Sequence, residues 1–277
     1  MAWISFDVFR TLGFKDTLQL KPEQIFKYKD DISSADWVLY PEYWQLNALI
    51  YGLKAKVFPS QASYLLGHNK IEMTRAFEMV APANIPHTEI RANTPSNADE
   101  LWELMLHPFV AKLPKASQGS GVWLIKSRAD WRAYLERTDI LYVQEYLPIN
   151  KDIRVVVIGD QAVCAYWRLQ ADQGFYNNVA KGGVIDQSPI PAQAINLALH
   201  LAQSLEIDHA GFDIAMVGDH PYVFEFNRLF GNQGIEGGDQ KIRDTIIDYL
   251  HRKQEPTGPN FPKAPASGRK RARRALR

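Results

Sequence analysis

The segment Gly211-Phe-Asp-Ile-Ala-Met-Val-Gly-Asp-His-Pro-Tyr-Val-Phe-Glu-Phe-Asn227 constrains this chain more than any other. It reads as two strands around a Gly218-Asp219-His220 loop. Strand side chains alternate faces, so Phe212, Ile214 and Met216 point one way and Asp213, Ala215 and Val217 the other. In the second strand Phe224 and Phe226 share a face, opposite Val223, Glu225 and Asn227. A three-residue loop pairs Val217 with Pro221. Asp213 then lies opposite Glu225, with Asn227 two residues further along the same face. Like charges facing each other in a sheet are unfavourable. Either both carboxylates are solvated on an open face, or a divalent cation joins them. Two carboxylates and a carboxamide are hard oxygen donors, which suit Mg²⁺ rather than zinc.

The rest of the pattern mixes helices and strands. Short strands are predicted over 3–10, 35–41 and 53–59, then a helix over 69–80. A second helix is predicted over 97–106, with Ser96 or Asn97 as its cap. Strands at 108–113, 122–126 and 141–147 surround a helix at 129–137. A hairpin joins 154–158 to 162–168, and helices follow at 192–205 and 241–250. The fold class is α+β with several hairpins. No GxGxxG or GxxxxGK[ST] motif is present, so a nucleotide here is not held by a Rossmann or P-loop cradle.

Cations stand at strand and helix ends. Lys112 closes the run Pro108-Phe-Val-Ala-Lys112 before the loop Ser117-Gln118-Gly119-Ser-Gly121, whose small residues let backbone N–H groups approach phosphate oxygens. Arg168 ends a strand, Lys181 precedes Gly182-Gly183, and Lys70 opens a helix. Singly these are ordinary surface charges; together they fit a metal that shares itself with substrate phosphates.

The 277 residues, 46% hydrophobic, suffice for one large core or two to three lobes. A single cysteine, Cys164, rules out an internal disulfide, and a small buried core residue is the expected role for it. The start lacks a basic stretch followed by an apolar run, and no segment has the roughly 18 apolar residues of a membrane helix. A soluble, cytoplasmic protein is the expectation. After residue 255 come seven basic residues and no acid, so the preceding body is net acidic. That tail reads either as a solubilising end or as a contact for RNA, ribosome or an acidic protein.

Several motifs follow in order: Asn69-Lys70; Val110-Ala-Lys112 with Ser117–Val122; Val143-Gln144-Glu145-Tyr146-Leu147; Asp152-Ile-Arg154; Phe175-Tyr-Asn-Asn178 before Lys181-Gly-Gly183; Gly211-Phe-Asp213; Phe224-Glu-Phe-Asn227; and Gly231 through Glu236. The sequence from about 66 to 252 thereby resembles the ATP-grasp superfamily, in its RimK-like branch of ribosomal-protein glutamate ligases. The resemblance implies two α+β lobes clasping ATP. It implies a short α/β region over 1–65, a central helix and lid lobe over 66–147, a lobe with the metal site over 148–255, and a flexible tail over 256–277. Lys70 and Lys112 would contact ATP phosphates, under the Ser117–Gly121 loop. Gln144, Glu145, Tyr146 and Leu147 would hold adenine, and Asp152 the ribose hydroxyls. Arg168 and Asn178, with Lys181, would face the triphosphate or acyl-phosphate. Asp213, Glu225 and Asn227 would bind Mg²⁺, with Mn²⁺ as a substitute.

The implied reaction joins a carboxylate to an amine through an acyl-phosphate, such as the addition of an amino acid to a peptide, protein or small molecule. The alternatives are an ATP-grasp phosphotransferase, a nucleotide-binding protein that no longer ligates, and a nucleic-acid-associated protein that uses its tail. Tyr176 stands where relatives often have arginine, Arg228 where a small residue is usual, and Phe230 where proline is usual. These departures bear on the acceptor side of the site.

Overall fold

The computed structural model describes residues 2–115, 121–169, 184–232 and 234–254. Three sheets organise them. The first is parallel, from β1 (Trp3–Ser5), β2 (Thr17–Gln19), β3 (Trp37–Leu39) and β4 (Val57–Phe58), in the order β2-β1-β3-β4. Helices α1 (Lys29–Ser34) and α2 (Gln61–Leu66) accompany it. The predicted strand over 3–10 stops at Ser5. Asp7 Oδ1 accepts the backbone N–H groups of Phe9 and Arg10, at 3.0 and 3.1 Å, and turns the chain.

Two-residue periodicity sends this sheet's side chains into two cores. Ile4, Val38 and Val57 pack with Ile32, Leu49 and Tyr64 on one side. Trp3, Trp37, Leu39 and Phe58 pack on the other, against the rest of the molecule.

Helix α3 (Lys70–Val80) comes next, capped by Asn69, whose side chain accepts the Ile71 N–H at 2.9 Å. The second sheet is antiparallel, with order β5-β8-β6-β7, from β5 (Thr88–Ala92), β6 (Phe109–Lys112), β7 (Val122–Ile125) and β8 (Ile140–Glu145). Helices α4 (Pro95–Leu104) and α5 (Arg128–Leu135) cover one face through Leu101, Trp131, Tyr134, Phe109 and Val143. α4 begins two residues earlier than predicted. Thr94, not Ser96 or Asn97, is its cap, accepting the Asn97 N–H at 3.2 Å, and Pro95 takes the first helical position. The opposite face carries Lys112, Tyr142 and Gln144.

The third sheet, order β11-β10-β9-β12-β13, is antiparallel. Its strands are β9 (Lys151–Ile158), β10 (Gln161–Leu169), β11 (Val184–Asp186), β12 (His209–Val217) and β13 (His220–Asn227), with α6 (Ala192–Ser204) before β12 and α7 (Gly238–Gln254) at the end. Ile153, Val155 and Val157 of β9 face a core shared with Met73 and Phe77 of α3 and Leu197 and Leu201 of α6. Val156 and Ile158 face the opposite core, formed with α7 and the first sheet. β9 is thus a central strand buried on both faces, as its Ile-Arg-Val-Val-Val-Ile run requires.

The β12–β13 hairpin has a two-residue turn, Val217 pairing with His220. A bulge between Asp213 and Ile214 then shifts the register by one, so Ile214 faces Val223 while Asp213 faces Glu225. The predicted carboxylate pairing and the faces of the first strand hold, but the predicted loop and the faces of Val223 and Phe224 do not. Val223 turns into the core with Phe226, and Phe224 is the extra residue.

Candidate active site

The polar groups gather where the second and third sheets and α3 meet. Lys112, at the end of β6, is buried and donates to Gln144 Oε1 at 2.7 Å. Gln144 Nε2 in turn donates to Thr88 Oγ1 at 2.9 Å. The Gln144 amide is therefore used at both ends, and it orients Lys112. The Lys112 ammonium lies 5.6 Å from the ring centroids of both Tyr142 and Phe224, so the displaced Phe224 lines this cleft. Burial pushes the Lys112 pKa down to about 8, with Lys70 adding to the effect and Glu225 opposing it. Lys70, in the first turn of α3, forms an ion pair with Glu225 of β13.

A second cluster lies on one face of β9, β10 and β12. Arg154 is the cross-strand partner of Asp213, and Arg168 that of Asp152. Arg154 Nε donates to Asp213 at 2.6 Å, and an Arg168 nitrogen lies 3.0 Å from the other Asp213 oxygen. Arg168 also binds both Asp152 oxygens, at 2.7 and 2.8 Å. Burial would raise the Asp213 pKa, but Arg154 and Arg168 outweigh it and hold the carboxyl below its usual range. Burial prevails at Asp152, pushed up to about 6 against Arg168. Gly211 makes room for this arrangement: a Cβ there would meet Arg154 side-chain atoms at 2.9 Å.

Asp213 and Glu225 bring the two clusters together as cross-strand partners, and Asn227 pairs with Gly211 two residues along. Three hard oxygen donors on adjacent strands fit a magnesium-type ion. The pair's charge is meanwhile balanced by Arg154 and Arg168 on one side and Lys70 on the other. Among the described residues no group of three or more His, Cys, Asp or Glu side chains could hold a metal, so any such ion relies on Asn227 and phosphate oxygens as well. Glu145 accepts the His87 backbone N–H at 2.7 Å, and Tyr146 and Leu147 follow it out of β8, half-buried. Ser117, Gln118, Gly119, Tyr176, Asn178 and Lys181 lie outside the described residues. Arg154 carried no predicted role. Its signal was the Asp152–Arg154 spacing, which puts both on one strand face.

The family model described as RimK-like ATP-grasp domain matches residues 69–250. The chain belongs to the RimK-like ATP-grasp family. An Enterobacter sp. (strain 638) protein named "Probable alpha-L-glutamate ligase" is 32% identical over 225 residues, covering 74% of this chain and 74% of that protein. A Salmonella paratyphi B protein named ribosomal protein bS6--L-glutamate ligase is 31% identical over 194 residues, 66% of this chain and 64% of its own length. The fold matches the crystal structure of D-alanine--D-alanine ligase from Bacillus anthracis with a TM-score of 0.70 at 14% identity, over 92% of this chain and 99% of that one. This RimK-like ATP-grasp protein is a ligase that joins a carboxylate to an amine and converts ATP to ADP and phosphate.

Two of the ligase's departures from its family's pattern have a packing explanation. Phe230 is buried and stacks on His209, centroids 4.7 Å apart, in the core shared with the first sheet. Arg228 gives its carbonyl to His209 Nδ1 at 2.7 Å and lays its guanidinium 4.0 Å over the Tyr64 ring.

Proposed function

We propose that this ligase adds an amino acid, L-glutamate by the names of its relatives, to a carboxylate on a peptide, protein or small acceptor. The supporting observation is the placement of Asp213 opposite Glu225, with Lys70 and Lys112 closing the same cleft. In the proposed reaction the acceptor carboxylate attacks the γ-phosphorus of ATP, and ADP leaves. The amine then attacks the acyl carbon, loses a proton and expels phosphate. Lys70 and Lys112 bind phosphate oxygens, and Gln144 fixes the direction of Lys112. Arg168, held by Asp152 and Asp213, neutralises charge on the transferred group. Asp152, whose two oxygens are held by Arg168, is the residue we assign to the ribose hydroxyls. Glu145, Tyr146 and Leu147 supply the backbone edge for adenine. Asn178, Lys181 and the 117–119 loop complete the phosphate side. Asp213, Glu225 and Asn227 hold Mg²⁺, or Mn²⁺, which when bound offsets charge on the phosphoryl oxygens. Most of the catalysis is positioning and charge neutralisation. No helix among the described residues is long and apolar enough to cross a membrane, and we place the reaction in the cytoplasm. The basic tail is the segment through which we expect an acidic protein or ribosomal acceptor to be engaged.

The test is ADP release with Mg·ATP across amino acids and short peptides, followed by mass detection of the amide. ADP is expected only with acid and amine present together. Glu225→Gln, at a side chain 30% exposed, should keep its far-UV spectrum and lose turnover by about a hundredfold or more, the scale of one lost charge-stabilising contact. Full turnover in that variant would remove the metal assignment.

A further inference from the structure

A cavity of about 400 Å³ lies between the first sheet and α7 and shares no residue with the cleft of Lys112 and Glu225. One wall is Trp3 of β1 and the segment 13–16 ahead of β2. The other is the face of α7 that carries Asp244, Ile247 and His251, spaced one helical turn apart. The His251 ring stands edge-on to Trp3, centroids 5.3 Å apart, so the floor is aromatic. Charges of both signs rim it: Lys15 and Arg243 against Asp16 and Asp244, with Arg243 and Asp244 paired at 3.4 Å. A near-neutral occupant suits such a rim better than a strongly charged one, because it leaves that pair intact.

Unpaired polar groups collect around this cavity. Trp3 is 5% exposed, and its indole N–H meets no acceptor among the described residues. The same holds for Trp37, its cross-strand neighbour on β3. One turn beyond His251, neither the nitrogen nor the oxygen of the Gln254 amide is paired. Buried polar groups are costly to leave unmatched, so these call for a partner. The chain itself supplies one. α7 ends at Gln254, and the residues that follow start at the His251 end of the cavity. They include Pro256-Thr-Gly-Pro259-Asn-Phe-Pro262-Lys-Ala-Pro265, with proline at every third position. Polyproline II has three residues per turn and no internal hydrogen bonds, so this spacing aligns the prolines on one ridge and leaves the carbonyls free to accept. Aromatic-lined grooves bind such ridges. From Asp244 to His251 a helix advances roughly 10 Å, the length of about three to four residues of polyproline II. The stretch has one charge, Lys263, whereas the arginines begin at Arg269.

We propose that the cavity is a docking site for this chain's own segment 259–262. Its prolines pack on Trp3 and His251, a backbone carbonyl accepts the Trp3 N–H, and Gly258 gives the chain room to double back along α7. The basic stretch 269–277 is thereby held beside the first sheet. The proposal does not depend on the ligase reading. Its test uses the full chain with a nitroxide spin label at Ala266→Cys, in a Cys164→Ala background that removes the other thiol. Amide signals of Gly13, Lys15 and Asp16 should lose most of their intensity, while those of α4 keep theirs. Replacing both Pro259 and Pro262 by alanine, which leaves the folded body untouched, should bring most of that intensity back. Trp3→Phe, which keeps a ring but removes the N–H, should bring back part of it; if that variant does not fold, the proline variant decides. Undiminished signals at 13–16, or equal broadening with and without the prolines, overturns the proposal. So does the same broadening in an isotope-enriched, unlabelled chain mixed with spin-labelled chain, because the occupant would then be a second copy.

Discussion

Lys112 is the residue whose chemistry is most exposed to pH. Its pKa of about 8 means that it is charged at neutral pH and loses its charge just above. If Lys112 binds phosphate as proposed, it does so in the charged form, and nucleotide affinity should fall as pH rises through 8 and be flat below 7. Lys112→Arg, which stays charged, should bind ATP less tightly at pH 7 but show no such fall up to pH 9. An unaltered pH profile in the arginine variant would mean that Lys112 is not the titrating group. His209 titrates in the opposite sense and concerns stability. Burial drives its pKa down to about 3, against the Arg228 carbonyl, so the unfolded chain binds the proton more tightly. Its contribution is present above pH 6.5 and is lost as pH falls from there towards 3. Neighbouring Asp208, pushed up to about 6 by burial, works the other way: its contribution is present below 4 and is lost as pH rises through 6. His209→Gln should therefore be less stable than wild type at pH 7. On acidification to pH 5 it should lose less than wild type does, as read from urea midpoints.

At the scale of elements, the β9–β10 turn is the most intolerant joint. Gly159 has φ of +62°, and a Cβ there would fall 2.2 Å from the Tyr249 ring on α7. Gly159→Ala should cost about 2–4 kcal/mol, backbone strain and a displaced aromatic ring together. A denaturant midpoint shifted by less than a quarter of that would show that α7 yields. The hairpin β12–β13 shows how much of the site could be read from sequence. Alternation correctly placed Asp213 opposite Glu225, with Asn227 two residues along the strand. It did so although the turn is one residue shorter than expected, because the bulge at Phe224 restores the offset. A bulge has no sequence period, so the inward turn of Val223 and the approach of Phe224 to Lys112 were not legible. Parity also put Asp152 and Arg154 on one face, but which carboxylate each arginine meets depends on strand order. Strand order is set by long-range packing rather than by local pattern. The α4 boundary, by contrast, was written in Thr94-Pro95 and could have been read there.

Across the whole molecule, the first sheet and the segment after it are bound to the ligase body through an apolar layer, Trp3, Trp37, Leu39 and Phe58 against Val156, Phe230, Ile242, Ile246 and Leu250, and through hydrogen bonds from Ser60 and Tyr40 to Asp208 and His209. Ile246 is 1% exposed in that layer. Ile246→Ala should cost about 2–5 kcal/mol, and unfolding should remain a single transition whether followed by tryptophan fluorescence or by far-UV circular dichroism. Separate transitions would mean that the first sheet is an autonomous unit. The family match begins only at residue 69, yet the residues before it supply one wall of this layer. β9, walled in on both faces, carries a dynamic consequence. Its amide hydrogens should exchange with solvent more slowly than any others, and only through global opening. The strand that presents Asp152 and Arg154 is thus a fixed floor. Whatever gap admits and releases nucleotide must open on the opposite side, where Lys112 and Gln144 hang from the four-stranded antiparallel sheet.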